Sequence, residues 1–324
     1  MSPSRRRPLP LLIAGATAAA LLLAGCSGGG SGDDPTTPST DASETTGAEV
    51  TEGSEGMPQA SGEFGESPNI TFPGDTPPEG LQVEVLSEGD GPEVEPSSAV
   101  TANYYGIVWG ADAQFDDSYS RGAPSMFGLN QVIQGWTDGI PGHTVGSRLL
   151  ISVPPDLGYG PQGGNPDAGI GAEDTIVFVV DVVEAFNPGD AGQADATPTP
   201  EAADAPVTID GNLGEPVTFT IAEGATEPTE LQVTVLATGT GEPVANQQSV
   251  AVAYAFSYWD GSGAGSSWGW DGADPEGPFT SFAGQGSIVD ATIDVPVGSR
   301  VLVLAPATDQ APASAAIIDV LGTA

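Results

Sequence analysis

Apolar residues fall at every second position in several short runs. Val100, Ala102 and Tyr104 share one parity, and Ile176, Phe178, Val180 and Val182 share another. A spacing of two marks strands with one buried face, because successive side chains leave a strand on opposite sides. One stretch departs from it: between Val132 and Gly139 the apolar positions Ile133, Trp136 and Ile140 fall at i, i+3 and i+7, which predicts a short helix pressed onto a sheet. The pattern then recurs. Leu81-Gln82-Val83-Glu84-Val85-Leu86 returns as Leu231-Gln232-Val233-Thr234-Val235-Leu236, offset by 150, and Val145-Gly146-Ser147-Arg148 returns as Val297-Gly298-Ser299-Arg300, offset by 152. Phe64-Gly65-Glu66 and Leu213-Gly214-Glu215 also correspond, so the duplicated unit begins before the sheet and predicts an added strand or arm on each copy. Each copy is expected to be mostly antiparallel sheet.

Composition shows what separates the copies. The 324 residues include 46 Gly and 30 Pro, so core-forming runs are diluted by stretches that cannot pack as helix or strand. From Ser27 to about Gly80 the chain is chiefly Gly, Ser, Thr, Pro and acid, the composition of a self-repelling tether. A second break spans Asn187 to Asp204. The expected division is a 26–80 tether, whose 61–80 portion is a candidate arm, a first domain at 81–187, a linker at 188–204 and a second domain at 205–324. Six basic residues, all Arg, against 44 acidic ones give a net charge of −38, which argues against a nucleic-acid partner. One Cys and one His cannot form an intramolecular disulfide or a Cys/His zinc site. Nothing calls for a metal or a cofactor.

The N-terminus carries Arg5-Arg6-Arg7, an apolar stretch from Leu9 to Leu23, and Leu23-Ala24-Gly25-Cys26. This resembles the lipobox of bacterial lipoproteins. The resemblance implies a signal peptide at 1–25 and a lipid on Cys26 that anchors the chain outside the cytoplasmic membrane. Cleavage would leave three Arg against 44 acids, a net −41, so the lipid rather than a basic patch would hold the chain to an anionic membrane.

Within 81–186 five motifs occur in one order: Tyr104-Tyr105-Gly106, Phe115-Asp116-Asp117-Ser118 with Arg121, Gln131-Val132-Ile133-Gln134-Gly135-Trp136, Pro155-Asp156-Leu157-Gly158-Tyr159-Gly160, and Thr175-Ile176-Val177-Phe178. That order resembles the FKBP-type (immunophilin) peptidyl-prolyl cis-trans isomerases. The resemblance implies an α+β fold, a twisted antiparallel sheet wrapped on a short helix. It also implies a proline pocket walled by Tyr104, Phe115, Val132, Ile133, Tyr159 and Phe178 over a Trp136 floor, with Ile170 at the rim. In that family pattern Asp116 closes a polar network with Tyr104 and Arg121, while the Ile133 N–H and the Tyr159 phenol bond carbonyls of the peptide. His143 precedes a turn where the family has no catalytic group. Asp181, of opposite parity to Phe178, is expected to be solvated or to face outward. Where the family commonly has a second aromatic near Ser125-Met126, this chain has only Phe127, which leaves one pocket wall open that Met126 could fill.

The second copy keeps Tyr254 and Asp319 at the positions of Tyr104 and Asp181, but no Phe-Asp pair or Tyr-Gly flap, and Ile288 stands near the Trp136 position. It is expected to be a degenerate FKBP-like domain without isomerase activity. Its aromatic run, Phe256, Tyr258, Trp259, Trp268 and Trp270, serves either as a binding surface or to close its core. The implied partners are Pro-containing segments of secreted or envelope proteins and, as inhibitors, macrolides of the rapamycin type. The alternative is a non-catalytic module that holds such segments at the cell surface.

Overall fold

A computed structural model of the protein describes residues 50–52, 56–269 and 272–324. The expected signal peptide, Cys26 and Trp270 lie outside the described residues. In the first half the strands are β1 (Val50–Glu52), β2 (Gln59–Ser61), β3 (Asn69–Thr71), β4 (Leu81–Ser87), β5 (Ala99–Val108), β6 (Gln114–Asp117), β7 (Ser125–Gly128), β8 (Arg148–Val153) and β9 (Ile176–Phe186), with helix α1 (Gln134–Gly139) before β8. The second half supplies β10 (Thr197–Pro198), β11 (Val207–Asp210), β12 (Thr218–Ile221), β13 (Gln232–Thr238), β14 (Ser249–Tyr258), β15 (Ala264–Ser266), β16 (Phe279–Phe282), β17 (Arg300–Ala305) and β18 (Ser314–Thr323).

The first sheet runs β1-β4-β8-β9-β5-β6 with β7 also on β5; the second runs β10-β13-β17-β18-β14-β15 with β16 on β14. Each strand of the second is the ninth after its counterpart in the first. β1 pairs parallel to β4, whereas β10 pairs antiparallel to β13. The segment expected to be tether thus contributes β1 and the β2–β3 hairpin, and the segment expected to be linker contributes β10.

The expected α+β class is corrected: the chain is mostly β. Among the described residues the longest α-helix is the six-residue α1, and the second half has only a 3₁₀ turn at Ile288–Thr292 in its place. Val132 and Ile133 stay outside the helix, with Ile133 extended at φ −64, ψ 148. Gly135 and Gly139 let the remaining turn and a half lie directly on the sheet, where added Cβ atoms would meet Val153 and Val83. Those glycines also weaken helix propagation, so the stripe at i, i+3 and i+7 overstates its length.

The inner face of the first sheet is covered by α1 and holds a core of Val83, Val100, Tyr104, Trp136, Ile151 and Phe178 among others. Its outer face is covered by the β2–β3 hairpin, with Met57, Ala60, Ile70 and Phe72 packed on Leu150, Val177 and Val179. β8 between them is buried at every position.

A buried ion pair holds that hairpin down. Arg148 Nε donates to Asp181 Oδ1 at 2.7 Å, and its other nitrogens donate to the carbonyls of Gly62 (2.6 Å), Glu63 and Glu66 (2.5 Å). Asp181 Oδ2 accepts from the Gly65 N–H at 2.6 Å and the Tyr119 hydroxyl at 2.9 Å. Of the two expectations for Asp181, outward-facing holds and solvated is corrected: its parity points it off the inner face, and there the hairpin covers it completely. The second half repeats the device. Arg300 bonds both Asp319 oxygens, at 2.7 and 2.8 Å, and the carbonyls of Asn212 and Glu215 in the β11–β12 hairpin, each at 3.0 Å.

Candidate active site

Five elements converge on one basin at the inner face of the first sheet. β5 supplies Tyr104, β6 supplies Phe115 and Asp116, the 3₁₀ turn Tyr119–Arg121 supplies Arg121, α1 supplies Trp136, and β9 supplies Phe178. Their order along the chain is dictated by the sheet: β5 pairs with β6 so that Gly106 lies opposite Asp116, and with β9 so that Gly106 lies opposite Phe178. Gly106 is required there, since a Cβ would stand 2.7 Å from the Phe115 ring and 2.8 Å from the Phe178 ring.

The indole of Trp136 is 4% exposed and is ringed by edges. Tyr104 lies 5.7 Å away, Phe127 5.2 Å and Phe178 5.3 Å, at 78–83° between planes; Phe115 stands perpendicular to Phe178 at 5.6 Å. Such edge-to-face contacts match positive ring edges to negative faces and fix each ring's orientation. The indole N–H is buried and finds no acceptor among the described residues. Val132, Ile133 and Tyr159 pack partly buried around this cluster. Ile170, expected at the rim, is buried within the core itself.

A charged network closes one side. The Tyr104 hydroxyl donates to Asp116 Oδ2 at 2.5 Å, and Arg121 reaches Asp116 Oδ1 and the Tyr104 oxygen, both at 2.6 Å. The guanidinium carbon stands 5.3 Å from the Tyr104 ring centre. Burial, reinforced by the hydrogen bond to Asp116, pushes the Tyr104 phenol up to about 12. Burial and the Asp116 charge also raise Tyr159. Both phenols keep their protons through neutral pH and remain donors. The Tyr104 N–H donates to Ser118 Oγ at 2.9 Å and so ties β5 to the turn carrying Arg121.

The sequence left the places of two residues open. Phe127 faces the basin and packs on Tyr104 at 5.5 Å as well as on Trp136, so the wall left open by the sequence is filled by an aromatic. Met126, the other candidate for that wall, points the opposite way into a cluster with Ala99, Phe186 and Ala251 of the second half. Ser125 shares the parity of Phe127 and lies 3.4 Å from Arg121. Placing Ser125 and Phe127 together on the basin side was the sequence signal available.

In the second half Tyr254 sits as Tyr104 does, its N–H bonded to Ser267 Oγ at 2.8 Å, but its hydroxyl reaches Glu276 and, among the described residues, no Arg joins them. Phe178 has Ala316 as its counterpart, since the former lies opposite Ile151 and the latter opposite Val303. The aromatic run is split: Phe256 packs on the inner core, whereas Trp259 and Trp268 pack beneath the hairpin on the outer one.

A buried aromatic basin bordered by phenol donors and a Tyr–Asp–Arg network combines an apolar surface with hydrogen-bonding groups at its edge. Residues 91–183 match the family of FKBP-type peptidyl-prolyl cis-trans isomerases. The chain is 39% identical over 121 residues to a probable FK506-binding protein of Corynebacterium glutamicum, covering 37% of this chain and 99% of that one. It is 38% identical over 120 residues to an FK506-binding protein of Streptomyces anulatus, covering 36% and 96%. Against the isomerase FkpA of Escherichia coli it is 37% identical over 123 residues, covering 38% and 43%. The chain belongs to the FKBP-type peptidyl-prolyl cis-trans isomerase family, with its isomerase domain at 91–183.

Proposed function

We propose that the Trp136 basin takes the prolyl ring of X–Pro segments in secreted or envelope proteins and speeds their cis-trans interconversion without a covalent intermediate or a general base. The observation that carries this reading is the set of rings on Trp136 with the Tyr104–Asp116–Arg121 network at their edge. Rotation about X–Pro is opposed by amide resonance, a barrier of about 18–20 kcal/mol. A rotated amide has lost its charge separation, so transfer from water into an apolar basin costs it less than it costs the planar form. The Tyr159 hydroxyl and the Ile133 N–H are assigned to the peptide carbonyls, holding the chain while the amide turns. Asp116 and Arg121 are assigned to orienting Tyr104.

Exchange of a short X–Pro peptide by the full chain tests this. Phe115→Ala with Asp116→Ala, or Tyr159→Ala alone, is expected to lower kcat/KM at least tenfold, about 1.4 kcal/mol of transition-state stabilisation. Unchanged turnover in folded variants would refute the assignment.

The second half is read as a degenerate copy that does not isomerise proline, a reading supported by its strand order, its Arg300–Asp319 pair and its Ala316. A client-holding role for it is favoured by Leu231 and Val233, 52% and 44% exposed where their counterparts Leu81 and Val83 are buried. Attachment through a lipid on Cys26 is assigned to the N-terminus; Cys26→Ser is expected to release the protein from membranes, and retention would refute it.

A further inference from the structure

The four residues of β7 divide between two neighbours. Ser125 and Phe127 face the basin, the first near Arg121 and the second against Tyr104 and Trp136. Met126 and Gly128 face the second half. Met126 is buried with Ala99, Phe186 and Ala251, with Leu321 packed alongside, and a Cβ on Gly128 would stand 3.4 Å from the Thr280 hydroxyl of β16. Just beyond β7, Asn130 Nδ2 donates to the Glu276 carbonyl at 3.0 Å, two residues before Val132. The seam leaves no spare room: a Cβ on Gly277 would overlap the Ser97 carbonyl, and one on Gly322 would overlap the Phe186 ring.

β7 is short and is paired along only one edge, to β5, so its pairing alone gives the Phe127 wall little stiffness. The seam supplies the missing support from behind. We infer that the second domain positions the Phe127 wall, so that residues of the seam set the width of the proline basin without touching substrate. The inference rests on the reading of the basin as the proline site. It follows from close packing: a displacement on one side of a four-residue strand is passed to the other because the interior has no slack to absorb it. Met126, Asn130 and Gly322 are positioning residues in this scheme.

Two variants of the full chain test it. Gly322→Val displaces the Phe186 ring that shares a cluster with Met126, and Asn130→Ala removes the cross-domain hydrogen bond at an exposed site. The first readout is the Trp136 indole ¹H–¹⁵N resonance in substrate-free protein, assigned by its loss in Trp136→Phe. Phe127 stands 5.2 Å from that ring, so movement of the wall changes its ring-current shift. The second is the KM for a short X–Pro peptide, expected to change by roughly two- to tenfold with kcat altered less; loss of folded protein would lower apparent kcat alone. Phe186→Leu in the Gly322→Val background makes room for the added methyls and is expected to return both readouts toward wild type. An unmoved resonance and unchanged KM in both folded variants would overturn the inference. If Gly322→Val does not fold, Asn130→Ala decides: a shifted resonance upholds the inference and an unmoved one overturns it. A shifted resonance in a protein whose wild type turns over no peptide would uphold the positioned wall and sink the isomerase reading, which keeps the two failures apart.

Discussion

Replacing Arg148 by Met is expected to destabilise the first half severely and to free its hairpin. The guanidinium is 2% exposed and pairs with a carboxylate that is fully buried. Breaking such a pair from one side costs about 3–5 kcal/mol, because the surviving charge remains without compensation. The carbonyls of Gly62, Glu63 and Glu66 also lose their shared donor; lifting the hairpin would let water replace it, so we take about 3 kcal/mol as the expected loss. Against a usual domain stability of about 5–15 kcal/mol that is a large fraction. Trp109 offers a local probe. It packs on Phe72 just after the hairpin at 4.9 Å and donates from its indole to the Gly74 carbonyl at 3.1 Å. Denaturant unfolding followed by its fluorescence, with the other tryptophans replaced by Phe, should show an early transition in Arg148→Met that wild type lacks. The double variant Arg148→Met with Asp181→Leu should recover most of the loss, since replacing a whole buried pair by apolar groups is often neutral. A single-variant loss below about 1 kcal/mol, the range of an exposed pair, with no early transition, would refute the clamp.

Three further outcomes are expected. Phe127→Ala should weaken peptide binding more than Met126→Leu does, measured as KM on one X–Pro peptide, because only the first side chain lines the basin. Turnover should be nearly flat from pH 6 to 8, since no step proposed for the basin transfers a proton to or from a group titrating there; a bell-shaped profile abolished by His143→Ala would contradict the mechanism. Tyr104, at about 12 when folded against about 10 when unfolded, favours the folded state while protonated. That contribution is complete below pH 10 and is lost as pH rises through 12, so the thermal midpoint of wild type should fall more steeply over that window than that of Tyr104→Phe.

Period-two alternation was enough to mark β5 and β9 as strands, whereas the placing of Tyr104 and Phe178 in one pocket came from the motif resemblance. The alternation did not show that Asp181 is buried. Parity says only which residues share a face, and the partner that buries Asp181 stands 33 positions away on Arg148, under a hairpin drawn from a stretch whose composition resembles a tether. The helix was overdrawn because apolar spacing takes no account of Gly135 and Gly139. The grouping of Tyr104, Asp116 and Arg121 came from motif resemblance, and the side chains do meet. Whether Met126 or Phe127 fills the wall turns on one fact the local sequence does not carry: which neighbour lies behind a four-residue strand.

Strand β9 separates two kinds of constraint. Ile176, Phe178 and Val180 look into the basin core, while Asp181 anchors the hairpin behind it. Rewriting the inner surface leaves the rear anchor intact, so the scaffold can lose or change its chemistry without losing its shape. The second sheet has Ala316 where the first has Phe178, yet keeps Asp319 on Arg300. For protein engineering this marks the inner face of the second sheet as ground on which a new ligand cavity can be carved while its support stays in place.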